Sequence, residues 1–94
     1  MFTITVPVLS TSHISIDTRN ELSSMSQLNA DVTGVSVCAE YAEGYFVFFD
    51  QANDPGRMSD NVRDVRAWAQ KNGFEWIRLD SAGDEVAELP KYEW

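Results

Sequence analysis

The chain contains very few of the residues that form disulfides, bind metal ions or hold a small protein in a membrane. One cysteine and one histidine occur among 94 residues, so no internal disulfide can form, and these two side chains cannot complete a structural zinc site. No apolar run approaches the about 20 residues of a membrane span, and Met1–Val6 lacks the basic start of a signal peptide. We therefore expect a cytoplasmic protein without disulfide, metal or membrane contact.

Basic residues are also scarce. Seven Lys and Arg stand against fifteen Asp and Glu, which gives a formal net charge of -8 and a sequence pI near 4.3. Arg19 is the only base before Arg57, a stretch that also contains the carboxylates Asp17, Glu21, Asp31, Glu40, Glu43, Asp50 and Asp54. Non-specific nucleic-acid binding relies on Lys and Arg, so direct contact with nucleic acid is disfavoured. The acids form either a binding surface or a surface that only confers solubility.

The rest of the composition is that of a globular chain. Hydrophobic residues make up 44% of it and aromatic residues 12%, which argues against a disordered acidic tail. A chain of this length supports one hydrophobic core and not two. We expect a single domain over residues 1–94.

Hydrophobic periodicity predicts the first elements. Residues 2–8 alternate apolar and polar side chains, which predicts a strand that ends near Pro7. A helix is expected to begin at Ser15 or Thr18. Its buried stripe is expected at Leu22, Met25 and Leu28.

The strongest pattern is an antiparallel hairpin. Residues 35–41 and 45–49 both alternate with a period of two, and the short turn Ala42–Gly44 joins them. Along the second strand Phe46 and Phe48 point to one side and residues 45, 47 and 49 to the other, so aromatic surface remains on the side away from the helices. The C-terminal segment, a second copy or a partner protein is expected to cover it.

The C-terminal half repeats the pattern of helix and strand. A helix is expected from Ser59 to a left-handed stop at Gly73, followed by a strand over residues 75–79 and a short strand over 86–89. The order strand, helix, strand, strand, helix, strand predicts an α+β fold of the split βαβ (ferredoxin-like) type. This is an antiparallel sheet with two helices on one face.

Ser10-Thr11-Ser12-His13 is the one stretch that combines hydroxyl nucleophiles with a base. Catalysis requires nucleophile and base to meet at about 2.6 to 3.2 Å, with a third group orienting the base, and sequence neighbours seldom do so. We favour a corner in which the hydroxyls bond to backbone groups and His13 joins a strand to a helix. A small enzyme that uses His13 with Ser12 or Ser10 is the alternative.

Signatures of cofactor and metal chemistry are missing from the sequence. Asp50–Gly56 lacks the closing Glu of a calcium loop, and no Gly-rich phosphate loop or dinucleotide fingerprint occurs. The aromatic strand 45–49 is of the kind that stacks bases in RNA-recognition domains, but its neighbours Glu40, Glu43 and Asp50 are acidic. We expect no cofactor and no direct nucleic-acid contact.

Four features together resemble a known family. They are Val8–Ile14 with its Ser-Thr-x-His-Ile motif, the aromatic residues of the hairpin, Gly73–Trp76 with Asp80, and the closing Leu89–Trp94. They are similar to a small uncharacterised bacterial domain-of-unknown-function family of plasmids, phages and integrated elements. The chain departs from the pattern at Ser12, where alanine is usual, and in the loop around Gly56. The resemblance implies an accessory protein of a mobile element in a bacterial host, and implies no activity or catalytic residue.

These features favour a binding protein over an enzyme. We expect a small acidic inhibitor, of the anti-CRISPR or anti-restriction type, that occupies a basic surface on a nucleic-acid-binding host complex as a mimic of DNA. A self-associating regulatory module, a homodimer through open sheet faces, is a further alternative. The expected partner contacts are Asp17, Glu21, Glu40, Tyr41, Glu43, Tyr45, Asp50, Asp54 and Trp94.

Overall fold

A computed structural model describes residues 3–28, 37–49, 56 and 58–93. The elements in chain order are β1 (Val8–Ser10), a short 3-10 helix (Thr11–His13), α1 (Ile16–Leu28), β2 (Val37–Tyr41), β3 (Gly44–Phe48), α2 (Asp60–Lys71) and β4 (Trp76–Asp80). The predicted β-α-β-β-α-β order and the α+β class are confirmed. The predicted hairpin is confirmed as well, because β2 and β3 pair antiparallel from Tyr41 opposite Gly44 to Val37 opposite Phe48.

The sheet is mixed, which corrects the antiparallel, ferredoxin-like prediction. The strand order is β1-β4-β3-β2, with β4 parallel to β1 and antiparallel to β3. A split βαβ unit joins two parallel strands through a helix. Here α2 joins β3 to its antiparallel neighbour β4, so the second half of the chain does not form that unit. Periodicity predicts where strands lie but carries no information on which strands become neighbours.

The end strands also differ from the prediction. The first strand was expected over residues 2–8, but β1 begins at Val8, directly after Pro7, which has no N–H for a ladder. Pro7 still accepts a hydrogen bond through its carbonyl from Arg78 N–H at 2.9 Å. The short strand expected over 86–89 is a turn, closed by Leu89 N–H to Val86 O at 3.2 Å. On the outer side of β1, Leu9 instead forms an isolated parallel β-bridge with Asp84.

Helix ends follow local chemistry. Ser15 is the cap of α1, because its hydroxyl accepts the Thr18 N–H at 3.2 Å, while Thr18 itself is buried against Ser59. Gly73 has φ of +81° beyond the end of α2, as the predicted left-handed stop requires. Leu22 is buried as expected, whereas the side chains of Met25 and Leu28 lie outside the described residues.

The hydrophobic core lies between the helices and one face of the sheet. Leu22 of α1 and Val62 and Val65 of α2 line the same small apolar space as Val47 of β3 and Leu79 of β4. The described strand side chains that are at most 2% exposed are Leu9, Tyr45, Val47, Ile77 and Leu79. Strand side chains alternate between faces, so the intervening positions make up the other side of the sheet.

The C-terminal segment packs at the corner between the 3-10 helix and α2. Leu89 joins the core, and Tyr92 N–H donates to Ser12 O at 2.7 Å. This segment therefore lies with the helices, and within the described residues it does not cover the other face of the sheet. Trp94 lies outside the described residues. No described helix is long and apolar enough to cross a membrane.

Candidate interaction surfaces

The side of the sheet opposite the core is called the open face below. Strand register sets its side chains in rows: Val8, Arg78, Phe46 and Ala39 form one row across all four strands. Trp76 and Phe48 are direct cross-strand partners in the next row. Val8 is 38% exposed, Ala39 is exposed, and the aromatic rings and Arg78 are partly exposed. Among the described residues, the open face is therefore an aromatic surface with one guanidinium, that of Arg78, near its centre.

The rings of the open face pack against one another along and across the strands. The centroids of Phe48 and Trp76 are 5.0 Å apart and those of Tyr41 and Phe46 are 5.4 Å apart, both in tilted arrangements. The Arg78 guanidinium lies 5.0 Å from the Tyr41 centroid and 5.5 Å from that of Phe46. Such contacts add about 0.5–1.5 kcal/mol per aromatic pair beyond burial. The open face is thus ordered by its own side chains.

A hydrogen-bonded triad holds Arg78 in place. Arg78 Nε donates to the Tyr41 hydroxyl at 2.7 Å, Tyr41 donates to Asp80 Oδ2 at 2.6 Å, and Arg78 Nη2 reaches the same oxygen at 3.1 Å. The Tyr41 hydroxyl lowers the pKa of Asp80, helped by the Ala82 N–H and by Arg78. Partial burial raises the pKa of Tyr41. The triad links β2 to β4 across β3, and its Arg78–Asp80 pair is close to electrically neutral.

Gly44 makes that link possible. It lies between Tyr41 and Asp80 in the third row of the face, and a Cβ at this position would clash with the Leu79 carbonyl. Without a side chain in the middle of the row, the Tyr41 hydroxyl reaches Asp80. Glycine is therefore required here by close approach between strands.

The predicted acidic contacts lie on other parts of the molecule. Asp17 is exposed and Glu21 partly exposed on α1, one helical turn apart. Glu40 accepts a hydrogen bond from Ser23 of α1 at 3.0 Å, so it lies on the helical side of β2. Glu40, Tyr41 and Glu43 line one recess at the end of the hairpin, to which Arg19 of α1 also contributes. The carboxylates of Asp17, Glu21, Glu40 and Glu43 are together called the acidic surface below. Tyr41 lies between this surface and the open face.

Tyr45 does not have the exposed position expected of an anchor. It is only 1% exposed, because its ring lies on the core side of β3, and its hydroxyl meets Ser23 Oγ at 2.6 Å and Arg19 O at 3.3 Å. Tyr45 is therefore a residue of the core, and we remove it from the proposed contacts. Asp50, Asp54 and Trp94 lie outside the described residues and stay predictions.

His13 is built into the corner that the sequence analysis favoured. It is 1% exposed, its Nδ1 meets Pro90 O at 2.8 Å, and its Nε2 accepts the Val86 N–H at 3.0 Å. Both ring nitrogens are therefore engaged by the backbone. Ser10 Oγ donates to Ser12 Oγ at 2.9 Å, so these hydroxyls pair with each other. The enzyme alternative is not supported by this geometry, because neither nitrogen is available to take a serine proton.

Cys38 is equally unsuited to nucleophilic chemistry in this arrangement. It faces the core side of β2, where its thiol approaches Leu22 O at 3.6 Å. Burial, together with the charge of Glu40, raises the pKa of the thiol to about 12. The thiolate is the reactive form of cysteine, so Cys38 is a packing residue at neutral pH.

Sequence reasoning missed Trp76 and Arg78 as surface residues. The strand over 75–79 was predicted, but its two faces were not assigned, because its neighbours in the sheet were unknown. One signal was present: Ile77 and Leu79 form a clean apolar alternation, which places Trp76 and Arg78 together on the opposite side. The paired register with β3 then brings them beside Phe46 and Phe48.

Comparison with known proteins identifies a family without supplying an activity. Residues 6–94 match the model of the C-terminal domain of DUF5983, a family of unknown function. No curated protein and no solved structure matches significantly. The chain belongs to the DUF5983 C-terminal domain family.

Proposed function

We propose that this chain is a small acidic inhibitor that binds a basic, nucleic-acid-binding surface of a host protein complex. One observation carries the proposal: the exposed carboxylates of the first half are displayed on α1 and at the end of the β2–β3 hairpin, away from the centre of the open face. The chain has a net charge of -8. A surface of this kind steers a positively charged partner and selects against nucleic acid itself.

The acidic surface is held on regular structure. Glu40 is tied to α1 by its bond with Ser23, and the Tyr45 hydroxyl joins β3 to the backbone of α1 at Arg19. Carboxylates fixed on a helix and a hairpin lose little further conformational entropy when a partner binds. They are therefore suited to take the place of DNA phosphates on a Lys- and Arg-rich groove.

Counter-defence is the setting that we propose for this inhibitor. A phage or plasmid gains directly when a restriction or CRISPR complex of its host is kept from nucleic acid, and an acidic protein achieves this by occupying the nucleic-acid site. The support is electrostatic, from the acidic surface and the scarcity of bases before Arg57. Family membership is compatible with this role and adds no activity to it.

The test compares two sets of charge-neutralising variants. Asp17→Asn, Glu21→Gln, Glu40→Gln and Glu43→Gln together remove four charges from the acidic surface. The control removes four charges from exposed acids of the second half, with the changes D64N, E75Q, E88Q and E93Q. Tagged proteins are used to capture partners from a bacterial lysate that carries defence complexes, and each captured complex is then assayed for DNA binding.

We expect the wild type and the control to capture a nucleic-acid-binding complex and to inhibit its DNA binding. The variant of the acidic surface should lose about fourfold to 1000-fold in affinity, because each of its four exposed charge pairs contributes about 0.2–1 kcal/mol. The two sets of variants have the same net charge. An equal loss of affinity in both would therefore mean that binding depends on net charge and not on the position of the carboxylates. A wild type that captures no such complex, or leaves its DNA binding intact, would contradict the proposal.

A further inference from the structure

The open face differs from the acidic surface in charge as well as in composition. The described side chains on it that carry a charge at neutral pH are Arg78 and Asp80, which form an ion pair at 3.1 Å. Around this pair lie Phe46, Phe48 and Trp76. A basic partner would therefore find no uncompensated negative charge at the centre of this face. Its best complement is another apolar, nearly neutral surface.

We infer that the open face packs against the open face of a second copy of this chain. An isologous interface of this kind places the same patch on both subunits, and two open faces can meet without charge repulsion because Arg78 and Asp80 are already paired within each copy. Aromatic residues and arginine are also the side chains most enriched at the energetic centres of interfaces.

The position of the acidic side chains favours a second copy of this chain, rather than a basic partner, on the open face. Packed sheets lie about 10 Å apart and each helical layer adds about 10 Å, so the α1 helices of two copies would lie about 30 Å apart. That separation exceeds the Debye length of about 8 Å at physiological salt. Stacking the open faces therefore keeps the α1 carboxylates Asp17 and Glu21 of the two copies far enough apart for little repulsion, and it leaves them exposed on the outside.

The apolar surface extends beyond the aromatic rings. Val8 is 38% exposed in the row of Arg78 and Phe46, and Ile4 is 54% exposed. Ile4 lines a groove with Phe74, Glu75 and Trp76, which lies beyond the N-terminal ends of β1 and β4. Specific interfaces bury about 800 Å² on each partner, and this extension provides apolar area in addition to the four strands.

The test is the oligomeric state in solution, measured by sedimentation equilibrium from low to high micromolar concentration. We expect the wild type to dimerise and Val8→Glu to weaken the dimer by about 100-fold or more, because the two-fold axis would bury two new like charges. Ile16 is the matched control, since it is 42% exposed but lies on α1. Ile16→Glu should leave the dimer unchanged, and circular dichroism reports whether each variant is folded.

Salt dependence separates this interface from the proposed inhibition. An apolar, nearly neutral interface should be unchanged or strengthened by added salt, whereas capture of a basic target should weaken. A monomer at every concentration would overturn the inference. So would a dimer that Ile16→Glu breaks and Val8→Glu spares. A monomer whose target capture is lost in Val8→Glu would assign the open face to that target, and would overturn the dimer while leaving the inhibitor proposal standing.

Discussion

The two faces of the sheet are made by the same strands and are packed very differently. On the core face Val47, Ile77 and Leu79 are at most 2% exposed beneath the helices. On the open face their sequence neighbours Phe48, Trp76 and Arg78 remain partly exposed. A sheet covered on one side usually turns polar residues to water on the other. The open face keeps aromatic ones, so its composition is explained by an interface better than by solvation.

The largest predicted difference between the faces is in stability. Ile77→Ala, on the core face, should cost about 2–5 kcal/mol in the free energy of unfolding, because it removes buried methylenes and leaves a cavity. Val8→Ala, on the open face, should cost within about 0.5 kcal/mol. Urea unfolding at low protein concentration, where copies are separate, measures both. Similar costs would mean that the open face is part of the folded core.

The next largest effect on stability is expected where His13 of the 3-10 helix contacts the backbone of the C-terminal segment. His13→Ala should cost about 1–3 kcal/mol, because the partly buried Val86 N–H loses its acceptor. Ser12→Ala is the control, since its hydroxyl pairs only with Ser10 among the described groups, and it should be nearly neutral. Urea unfolding of both variants measures the difference. If His13→Ala is as stable as Ser12→Ala, the two backbone bonds of the ring contribute nothing to the corner.

Much of the fold follows from the sequence because its signals are local. The hairpin, α2 with its Gly73 stop and the order of elements all depend on periodicity and turn residues within a few positions. The neighbours of β4 depend on contacts between distant parts of the chain, such as Pro7 with Arg78. No local pattern contains that information, and for this reason the sheet was predicted antiparallel when it is mixed.

The interaction surfaces were predicted less completely for the same reason. The acids and the excess aromatic surface are visible in composition and alternation, and the structure places Asp17, Glu40 and Glu43 at exposed positions. Which aromatic ring faces the core depends on strand register relative to the helices, so alternation alone predicts Tyr45 as an anchor and does not identify Trp76. A one-residue shift moves every side chain of a strand to the other face.

A smaller effect is expected within the open face itself. Tyr41→Phe keeps the ring that packs on Phe46 and Arg78 but removes the hydroxyl that bonds to Arg78 and Asp80. The cost should be about 0.5–1.5 kcal/mol, the usual net value of a hydrogen bond. Urea unfolding measures it, with Tyr92→Phe as a control, because the described contact of Tyr92 with Ser12 is made by its backbone. A cost near that of Ile77→Ala would show that the triad holds the sheet together rather than ordering its surface.

The smallest effect is the dependence of stability on pH that Asp80 of the open face contributes. Because hydrogen bonds from Tyr41 and Ala82 lower the pKa of Asp80 in the folded chain, its carboxylate contributes stability above its ordinary pKa of about 3.9. This contribution is lost as pH falls through the lower, folded-state value. The difference in unfolding free energy between wild type and Asp80→Asn should therefore be constant near neutral pH and shrink in acid. In a Tyr41→Phe background the shrinkage should be smaller and end at higher pH, because the hydrogen bond from Tyr41 no longer lowers the folded-state pKa of Asp80. A difference that stays constant into acid would mean that Asp80 has the same pKa in the folded and unfolded chains, and that the triad does not depend on its charge.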